Sequence, residues 1–331
     1  KAMGAGGMEY PTLFTTMAVS FMPQGLRMLE MVTIHEFGHG YWYGIVGSNE
    51  FEEAWLDEGI NSYSEMKAMD SYYGDGRSMI DLGPIEIGDG DYQRLQFIPI
   101  FAWDPIVKNS WEFVSGGSYS SNTYSKAAIT LKTLENFLGE EVMARVMRTY
   151  YEKWKFRHPR TDDFIAVAEE VSAQDLGWFF DQFLKTAGTL DYAVSSVRSR
   201  EVAEPAGFFG GEFVAPKRES KGRDKDGEKV FRNEVVVQRK GKLLFPQEIL
   251  VVFEDGEEIR EKWDGRDKWK KFIYERPVKL KSASLDPENK ILLDVNSFNN
   301  SKVMKPDRAS PLKYALGLAL KFQEFLTCLS F

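Results

Sequence analysis

The sequence is poor in cysteine and in histidine. Cys328 is the single cysteine of the 331 residues, which excludes an intrachain disulfide and a zinc site built from cysteine. A chain without disulfides is compatible with a reducing compartment but does not establish one, so the cytoplasm and the bacterial cell envelope both remain open. Histidine occurs only three times, and His35 and His39 lie four residues apart in the stretch VTIHEFGHGYWYG.

An excess of positive charge is absent as well. The chain carries 42 Lys and Arg against 50 Asp and Glu, a net charge of -8. This balance excludes the basic surface typical of nucleic-acid binding and gives no reason to expect an anionic membrane as partner. The apolar stretch 312–331 is interrupted by Lys321, Gln323 and Glu324, so we predict an amphipathic helix there rather than a membrane span. Membrane association is expected only through regions outside these 331 residues.

The pattern of apolar residues changes along the chain. Its length exceeds one average domain, and 43% apolar residues are enough for a sizeable core. Apolar residues recur at helical spacing as far as about residue 190, with Thr161 predicted as a helix N-cap and Gly188 as a C-cap. Helices are predicted at 24–44, 124–138, 140–154 and 162–171. A further predicted helix starts near residue 55.

Beyond Gly188, short runs rich in Val, Ile and Phe alternate with turn residues. The runs EVVVQRK, QEILVVF, EEIREKW, KKFIYE and ILLDV are predicted strands, and Asp255-Gly256 and Asp264-Gly265 are predicted hairpin turns. The charged stretch 217–229 is predicted to be a long loop. The sequence therefore predicts a multidomain α+β fold. A mostly helical domain at 1–190 precedes a β-sandwich domain at 191–300 and the start of a helical segment at 301–331.

His35, Glu36 and His39 form an H-E-x-x-H pattern in the first predicted helix. Residues four apart face the same side of a helix, so both imidazoles can reach one point. Glu36 lies about 100° further round the helix, where it reaches a water on the metal without being a ligand. The pattern also occurs in unrelated proteins, so an ordinary helix with two histidines is the alternative unless a third ligand exists.

Glu58 is the candidate third ligand. It follows His39 with eighteen residues between them, inside the segment EAWLDEGINSYSE. Trp55 and Leu56 predict that this segment packs into the core, and Gly59 is expected to leave room beside the metal. Two histidines and one glutamate leave the fourth position of a tetrahedral zinc ion open for water, as hydrolysis requires. The sequence therefore predicts one Zn²⁺ per chain, held by these three side chains.

Two further motifs accompany the metal pattern. GGMEY, at residues 6–10, precedes it, and TYSKAAITL, at 123–131, follows it. With HEFGH and WLDEG, they make the chain resemble the gluzincin zinc aminopeptidases related to aminopeptidase N and leukotriene hydrolase, whose members carry G-x-M-E-N and Y-E-K-G at these places. The resemblance covers about residues 4–300. It implies that the helical domain is a thermolysin-like catalytic domain.

The resemblance also implies roles. Glu36 would be the general base that delivers the proton to the leaving amine, and Tyr124 would donate a hydrogen bond to the oxyanion. Glu9 would pair with the free α-ammonium of the substrate.

Ahead of Glu9, Gly6, Gly7 and Met8 would lie along the extended substrate backbone. Glu65 is predicted to orient a zinc-bound histidine, with a plain surface glutamate as the alternative.

Two positions depart from the family pattern. Tyr10 replaces the asparagine that closes the upstream motif, and Asp57 replaces the asparagine before the third ligand. The chain also begins at Lys1 directly on a glycine-rich motif, so we expect that an N-terminal part, including the family's β-domain, precedes it.

The expected function is that of a zinc metallo-aminopeptidase acting on peptides with a free N-terminus. The first alternative is a related gluzincin with another specificity, such as a glycyl aminopeptidase relative or an epoxide hydrolase. The second is a non-catalytic relative used as a binding module. The intact Glu36 and the complete ligand set argue against the second.

Overall fold

The computed structural model describes residues 6–16, 22–83, 85–100, 103–202, 207–209, 212–214 and 229–306. Helices occupy most of the described residues between 28 and 183, and strands most of the described residues between 192 and 303. The predicted α+β composition is thereby confirmed. Within the described part, the helices are too short or too polar to cross a membrane.

The helices, in chain order, are α1 (Met28–Gly38), α2 (Glu50–Glu53), α3 (Glu58–Tyr73), α4 (Asp89–Phe97), α5 (Gly116–Ser120), α6 (Ala127–Leu138), α7 (Glu140–Trp154), α8 (Thr161–Ser172) and α9 (Gly177–Phe183). A π-helical turn at Ser121–Lys126 joins α5 to α6. The strands are β1 (Gly7–Tyr10), β2 (Leu13–Thr16), β3 (Ile80–Asp81), β4 (Glu86–Ile87), β5 (Tyr192–Glu201), β6 (Gly207–Phe209), β7 (Glu212–Val214), β8 (Phe231–Arg239), β9 (Gln247–Phe253), β10 (Glu258–Trp263), β11 (Trp269–Arg276), β12 (Leu280–Leu285) and β13 (Ser301–Val303).

The core of the helical part is built on α3 and α6. Ile60 and Met66 on α3 are fully buried, as are Ala127 and Leu131 on α6. Gly59 permits this close packing, because a Cβ atom there would overlap the Cβ atom of Ala127 and lie 2.8 Å from the carbonyl oxygen of Thr123. The space beside Gly59 is therefore filled by the neighbouring helix, and not left open beside the metal as expected from the sequence.

Apart from β6 and β7, which pair with each other, the described strands after residue 191 form two antiparallel sheets. One has the order β11-β8-β5 and the other β10-β9-β12-β13. Alternate residues of β8 and β9 are buried, as expected for strands with one face against a core. The two sheets touch through aromatic rings: Tyr192 and Trp263 have centroids 5.3 Å apart, and Phe253 and Tyr274 have centroids 5.7 Å apart.

Two predictions about the strands were wrong. The run ILLDV forms turns, and Ile291 and Leu293 are buried because they fill the core from a loop. Asp264-Gly265 does not close a hairpin, since β10 pairs with β9 and β11 with β8, so this loop crosses between sheets. Asp255-Gly256 does connect two paired strands, and Gly256 has the positive φ of 91° that such a turn favours.

Three predicted boundaries also moved. Thr161 is the first residue of α8 and not its cap; its hydroxyl instead accepts a hydrogen bond from Trp55 Nε1 at 2.8 Å. Helix α9 ends at Phe183, well before Gly188. Residues 301–303, predicted to begin a helical segment, pair with β12 as β13. The predicted helix at 312–331 and the predicted loop at 217–228 lie outside the described residues.

We expect Gly59→Ala to lower the stability of the fold. The added methyl group must displace α6 or the preceding turn, and overpacking of this kind costs about 1–3 kcal/mol. Thermal unfolding of the variant measures the effect. Gly90→Ala is the matched control, because a Cβ atom at this helical position meets only Met66 Sδ, at 3.6 Å. An unfolding midpoint for Gly59→Ala equal to that of Gly90→Ala would contradict the expectation.

Candidate metal centre

Helices α1 and α3 bring the three predicted ligands together. His35 Nε2 lies 3.2 Å from Glu58 Oε2, and His39 Nε2 lies 3.3 Å from the same oxygen. Helix α1 ends at Gly38, earlier than predicted, but His39 keeps helical backbone angles of φ -60° and ψ -18°. The four-residue spacing therefore still places both imidazoles on one side, with ring centroids 4.7 Å apart.

The geometry of these three side chains fits a zinc ion. Nitrogen and oxygen ligands of tetrahedral zinc lie about 2.0–2.1 Å from the metal, which separates any two of them by about 3.3 Å. The distances from Glu58 to the two histidines match this value, and one ligand atom from each residue lies within 4.8 Å of the others. His35, His39 and Glu58 can thus hold zinc with little rearrangement.

Buried carboxylates hold the opposite edge of each imidazole. Glu65 Oε2 lies 2.8 Å from His35 Nδ1, as predicted. Asp57 Oδ1 lies 2.7 Å from His39 Nδ1, so this departure from the family pattern faces the site. Each carboxylate fixes the orientation of its ring and makes the remaining nitrogen a better metal ligand.

This concentration of carboxylates favours positive charge on both rings. Burial opposes ionisation of His35, but hydrogen bonds to Glu58 and Glu65 outweigh it and raise the pKa of His35 to about 9. Burial is likewise outweighed at His39, where bonds to Asp57 and Glu58 raise the pKa to about 11. Burial raises the pKa of Asp57, and its hydrogen bond to His39 opposes this rise. A metal cation bound at these rings would therefore replace protons.

Asn61 was not singled out from the sequence, yet it locks α1 against α3. Its side-chain amide donates a hydrogen bond to the carbonyl oxygen of His35 at 2.7 Å. A Cβ atom on Gly38 would overlap Asn61 Oδ1, so glycine is needed for this approach. The sequence signal that could have identified Asn61 is its position one turn after Glu58 on the same helix.

Strand β1 covers Glu36. A Cβ atom on Gly7 would lie 2.6 Å from Glu36 Cδ, so the backbone of the strand lies directly on this carboxylate. Glu9 follows on the same strand, and oxygen atoms of Glu9 and Glu36 lie within 4.8 Å of a nitrogen of His39. Burial raises the pKa of Glu36, and the charges of Glu9 and Glu58 act in the same direction against those of the histidines. The result is a more basic carboxylate beside the metal position.

Tyr124 reaches the site from the π-helical turn. Its hydroxyl donates a hydrogen bond to Glu58 Oε1, and its ring stacks on that of His35 with centroids 5.6 Å apart. Burial and the charge of Glu58 raise the pKa of Tyr124, so the phenol keeps its proton and remains a donor. π-Helical turns are rare and are concentrated at functional sites, and the helical periodicity of the sequence did not reveal this one.

A cavity of about 720 Å³ surrounds these groups. The nine residues predicted from the sequence all line it: Gly6, Gly7, Met8, Glu9, His35, Glu36, His39, Glu58 and Tyr124. Glu50, Gln93 and Ser125 also line the cavity. Ser125 stands within TYSKAAITL but received no role from the sequence, and no sequence motif pointed to Glu50 or Gln93. Tyr10 does not line this cavity; it is 53% exposed and lies on a neighbouring cavity, which His39 also lines.

Comparison with known proteins places the chain in a family. Residues 1–183 match the model of the Peptidase family M1 domain. Aminopeptidase 2 of Candida albicans is 25% identical over 213 residues, which cover 61% of this chain and 22% of that protein. Human aminopeptidase B is 25% identical over 215 residues, which cover 61% of this chain and 32% of that protein. The chain thus spans between about a fifth and a third of the length of these relatives.

A solved structure shares the fold. The crystal structure of Legionella pneumophila aminopeptidase A, in complex with aspartic acid, superposes with a TM-score of 0.54 at 15% sequence identity. The match covers 88% of this chain and 30% of that one, so it extends past the helical part into the sheets. The family match covers more than half of the 331 residues. The chain belongs to peptidase family M1.

Proposed function

We propose that this chain is the catalytic part of a zinc-dependent aminopeptidase. The observation that carries the proposal is the metal-ligand set of His35, His39 and Glu58 with Glu9 and Glu36 beside it. Relatives named as aminopeptidases support the same activity. In this proposal, residues 1–190 form a thermolysin-like catalytic domain and residues 191–300 a β-sandwich domain that supports it.

The proposed chemistry is hydrolysis of the first peptide bond. Zinc, when bound, supplies a positive charge that acidifies a water molecule and polarises the scissile carbonyl. Glu36 would accept the proton of the attacking water at its carboxylate and then deliver it to the leaving amine. The buried position of Glu36 under β1 keeps this carboxylate poorly hydrated and hence basic.

Tyr124 would stabilise the charge that develops on the carbonyl oxygen. In the structure its hydroxyl donates a hydrogen bond to Glu58, one of the proposed metal ligands. A neutral donor whose ring is held by packing against His35 needs little reorganisation when the oxyanion forms. This role requires the hydroxyl to turn from Glu58 to the substrate oxygen.

Glu9 would determine where the peptide is cut. Its carboxylate stands next to Glu36 at the end of the cavity, where it would bind the free α-ammonium group of a substrate. Gly6, Gly7 and Met8 precede it along the cavity wall, where an extended peptide would lie beside the strand. Recognition of the amino terminus by Glu9 would bring the first peptide bond near the proposed metal ligands.

We expect His39→Ala to abolish stoichiometric zinc binding, because it removes one of three ligands and leaves Asp57 without its partner. Metal analysis of the purified protein should find about one zinc per chain in the wild type and almost none in the variant. His158→Ala is the control, since this exposed histidine bonds only the carbonyl oxygen of Gly47 among the described residues. Equal zinc in wild type and His39→Ala would refute the ligand assignment.

Glu36→Gln should keep zinc and lose turnover. The amide preserves the size of the side chain but accepts no proton, so kcat should fall by about 10²–10⁴-fold. Peptide hydrolysis and zinc content measured on the same preparation separate the two effects. Glu30→Gln, a charge-neutralising change on the same helix outside the cavity, should leave both at the wild-type level. Full activity in Glu36→Gln would remove this residue as the base.

The role of Glu9 is tested with blocked substrates. A peptide with a free amino terminus should be cleaved, and its N-acetylated counterpart should not. Glu9→Gln should raise KM for the free peptide by about 10–100-fold, the usual worth of a hydrogen bond to a charged group. Equal cleavage of free and acetylated peptides by the wild-type protein would show that it is not an aminopeptidase.

A further inference from the structure

A buried polar chain leaves the metal centre on the side of His35. Its first member is Glu65, which bonds the Nδ1 atom of His35 at 2.8 Å. Behind Glu65 lies the carboxyl group of Asp89, which is 0% exposed. Burial, the charge of Glu65 and a hydrogen bond to it raise the pKa of Asp89 well above its usual value. The neutral form of Asp89 is therefore favoured beside Glu65.

The chain continues through α4 to the π-helical turn. Gln93, one helical turn after Asp89, donates from Nε2 to Asp89 Oδ1 at 3.2 Å. Its Oε1 atom accepts a hydrogen bond from the hydroxyl of Ser125 at 2.7 Å. Gln93 and Ser125 are each 5% exposed. An amide carries both a donor and an acceptor, which is what these two neighbours require, and Ser125 directly follows Tyr124.

A second contact fixes the other end of the turn. The hydroxyl of Ser121 donates to the carbonyl oxygen of Gln96 at 2.8 Å. Both ends of Ser121–Lys126 are thus tied to α4. A π-helical turn contains one residue more than an α-helical turn, so a return to the α-helical form would rotate Tyr124 by about 100°. Its hydroxyl would then leave Glu58.

We propose that Gln93 and Ser125 are positioning residues that hold Tyr124 in register with the ring of His35. The inference rests on the proposed function, since it takes Tyr124 as the oxyanion donor. Neither residue acts on the reacting atoms directly. They act on the reaction by fixing the position of the Tyr124 hydroxyl. A displacement of this hydroxyl by about 1 Å would lower the rate about 10²-fold.

Crystal structures test the geometry without any activity. The complete protein would be solved as wild type, as Ser125→Ala and as Gln93→Met, which keeps the length of the side chain and removes both hydrogen bonds. We expect the turn at 121–126 to revert to an α-helix and the Tyr124 hydroxyl to leave Glu58 in both variants. A turn and a Tyr124 hydroxyl that stay in place in both variants would overturn the inference.

Kinetics test whether the position matters for turnover. Ser125→Ala should lower kcat about 10–100-fold with zinc content unchanged. Tyr124→Phe should lower kcat about 10²–10³-fold, the usual loss for one oxyanion donor. In the Tyr124→Phe background, Ser125→Ala should cause no further loss, because no hydroxyl remains to be positioned. Losses that multiply fully in the double variant would assign Ser125 another role and refute the proposal.

A matched control separates positioning from general destabilisation. Thr130→Val removes a hydroxyl that is 0% exposed and bonds the carbonyl oxygen of Lys126 one turn further along. It should lower the unfolding temperature but leave kcat unchanged, whereas an equal kcat loss in Thr130→Val and Ser125→Ala would overturn the inference. Failure of the proposed function looks different: the wild type would lack peptidase activity, or Tyr124→Phe would retain it. The crystal structures would still decide the geometry.

Discussion

The site depends above all on the packing of α1 against α3. His35 on α1 and His39 directly after it meet Glu58 of α3 at 3.2 and 3.3 Å, distances that also suit two ligands of one zinc ion. The Asn61 amide ties the helices together at the level of His35, and Gly38 provides the room for it. A small change in the spacing of the two helices would therefore affect every ligand at once, and with them the contact of Tyr124 to Glu58.

Placing so many carboxylates in a poorly hydrated pocket is costly unless positive charge compensates them. Glu58, Glu65 and Asp57 are all buried or nearly so around two imidazoles. Without metal, protons on the rings supply the compensation; with zinc, the ion does. The same electrostatic demand explains why Asp57 is tolerated where the family pattern has asparagine, because its charge faces His39 and not an apolar wall.

Elements that are far apart in the chain surround the candidate metal centre. Strand β1 lies on Glu36, which limits the access of water to that carboxylate. Helix α4 contacts both the carboxylate behind His35 and the turn that carries Tyr124. These elements are separated by many residues in the chain, so the centre is assembled by long-range packing rather than by one local motif. The short spacing of the histidines is the local exception.

Local spacing in the sequence was enough to predict the α+β composition, several strands and a common side for His35 and His39, because helix and strand periodicities are properties of neighbouring residues. It was not enough where partners are distant. Val, Ile and Leu at 291–295 looked like a strand but fill a core from turns, and the loop after Trp263 changes sheets. Packing between separate elements likewise decides three other features. These are the π-helical turn, the Gln93–Ser125 hydrogen bond and the contact of Asp57 with His39. The sequence by itself determined which side chains can bind a metal. The tertiary structure decided the distances between them, their charges and the groups that orient them. These features depend on neighbours that no short stretch of the chain contains.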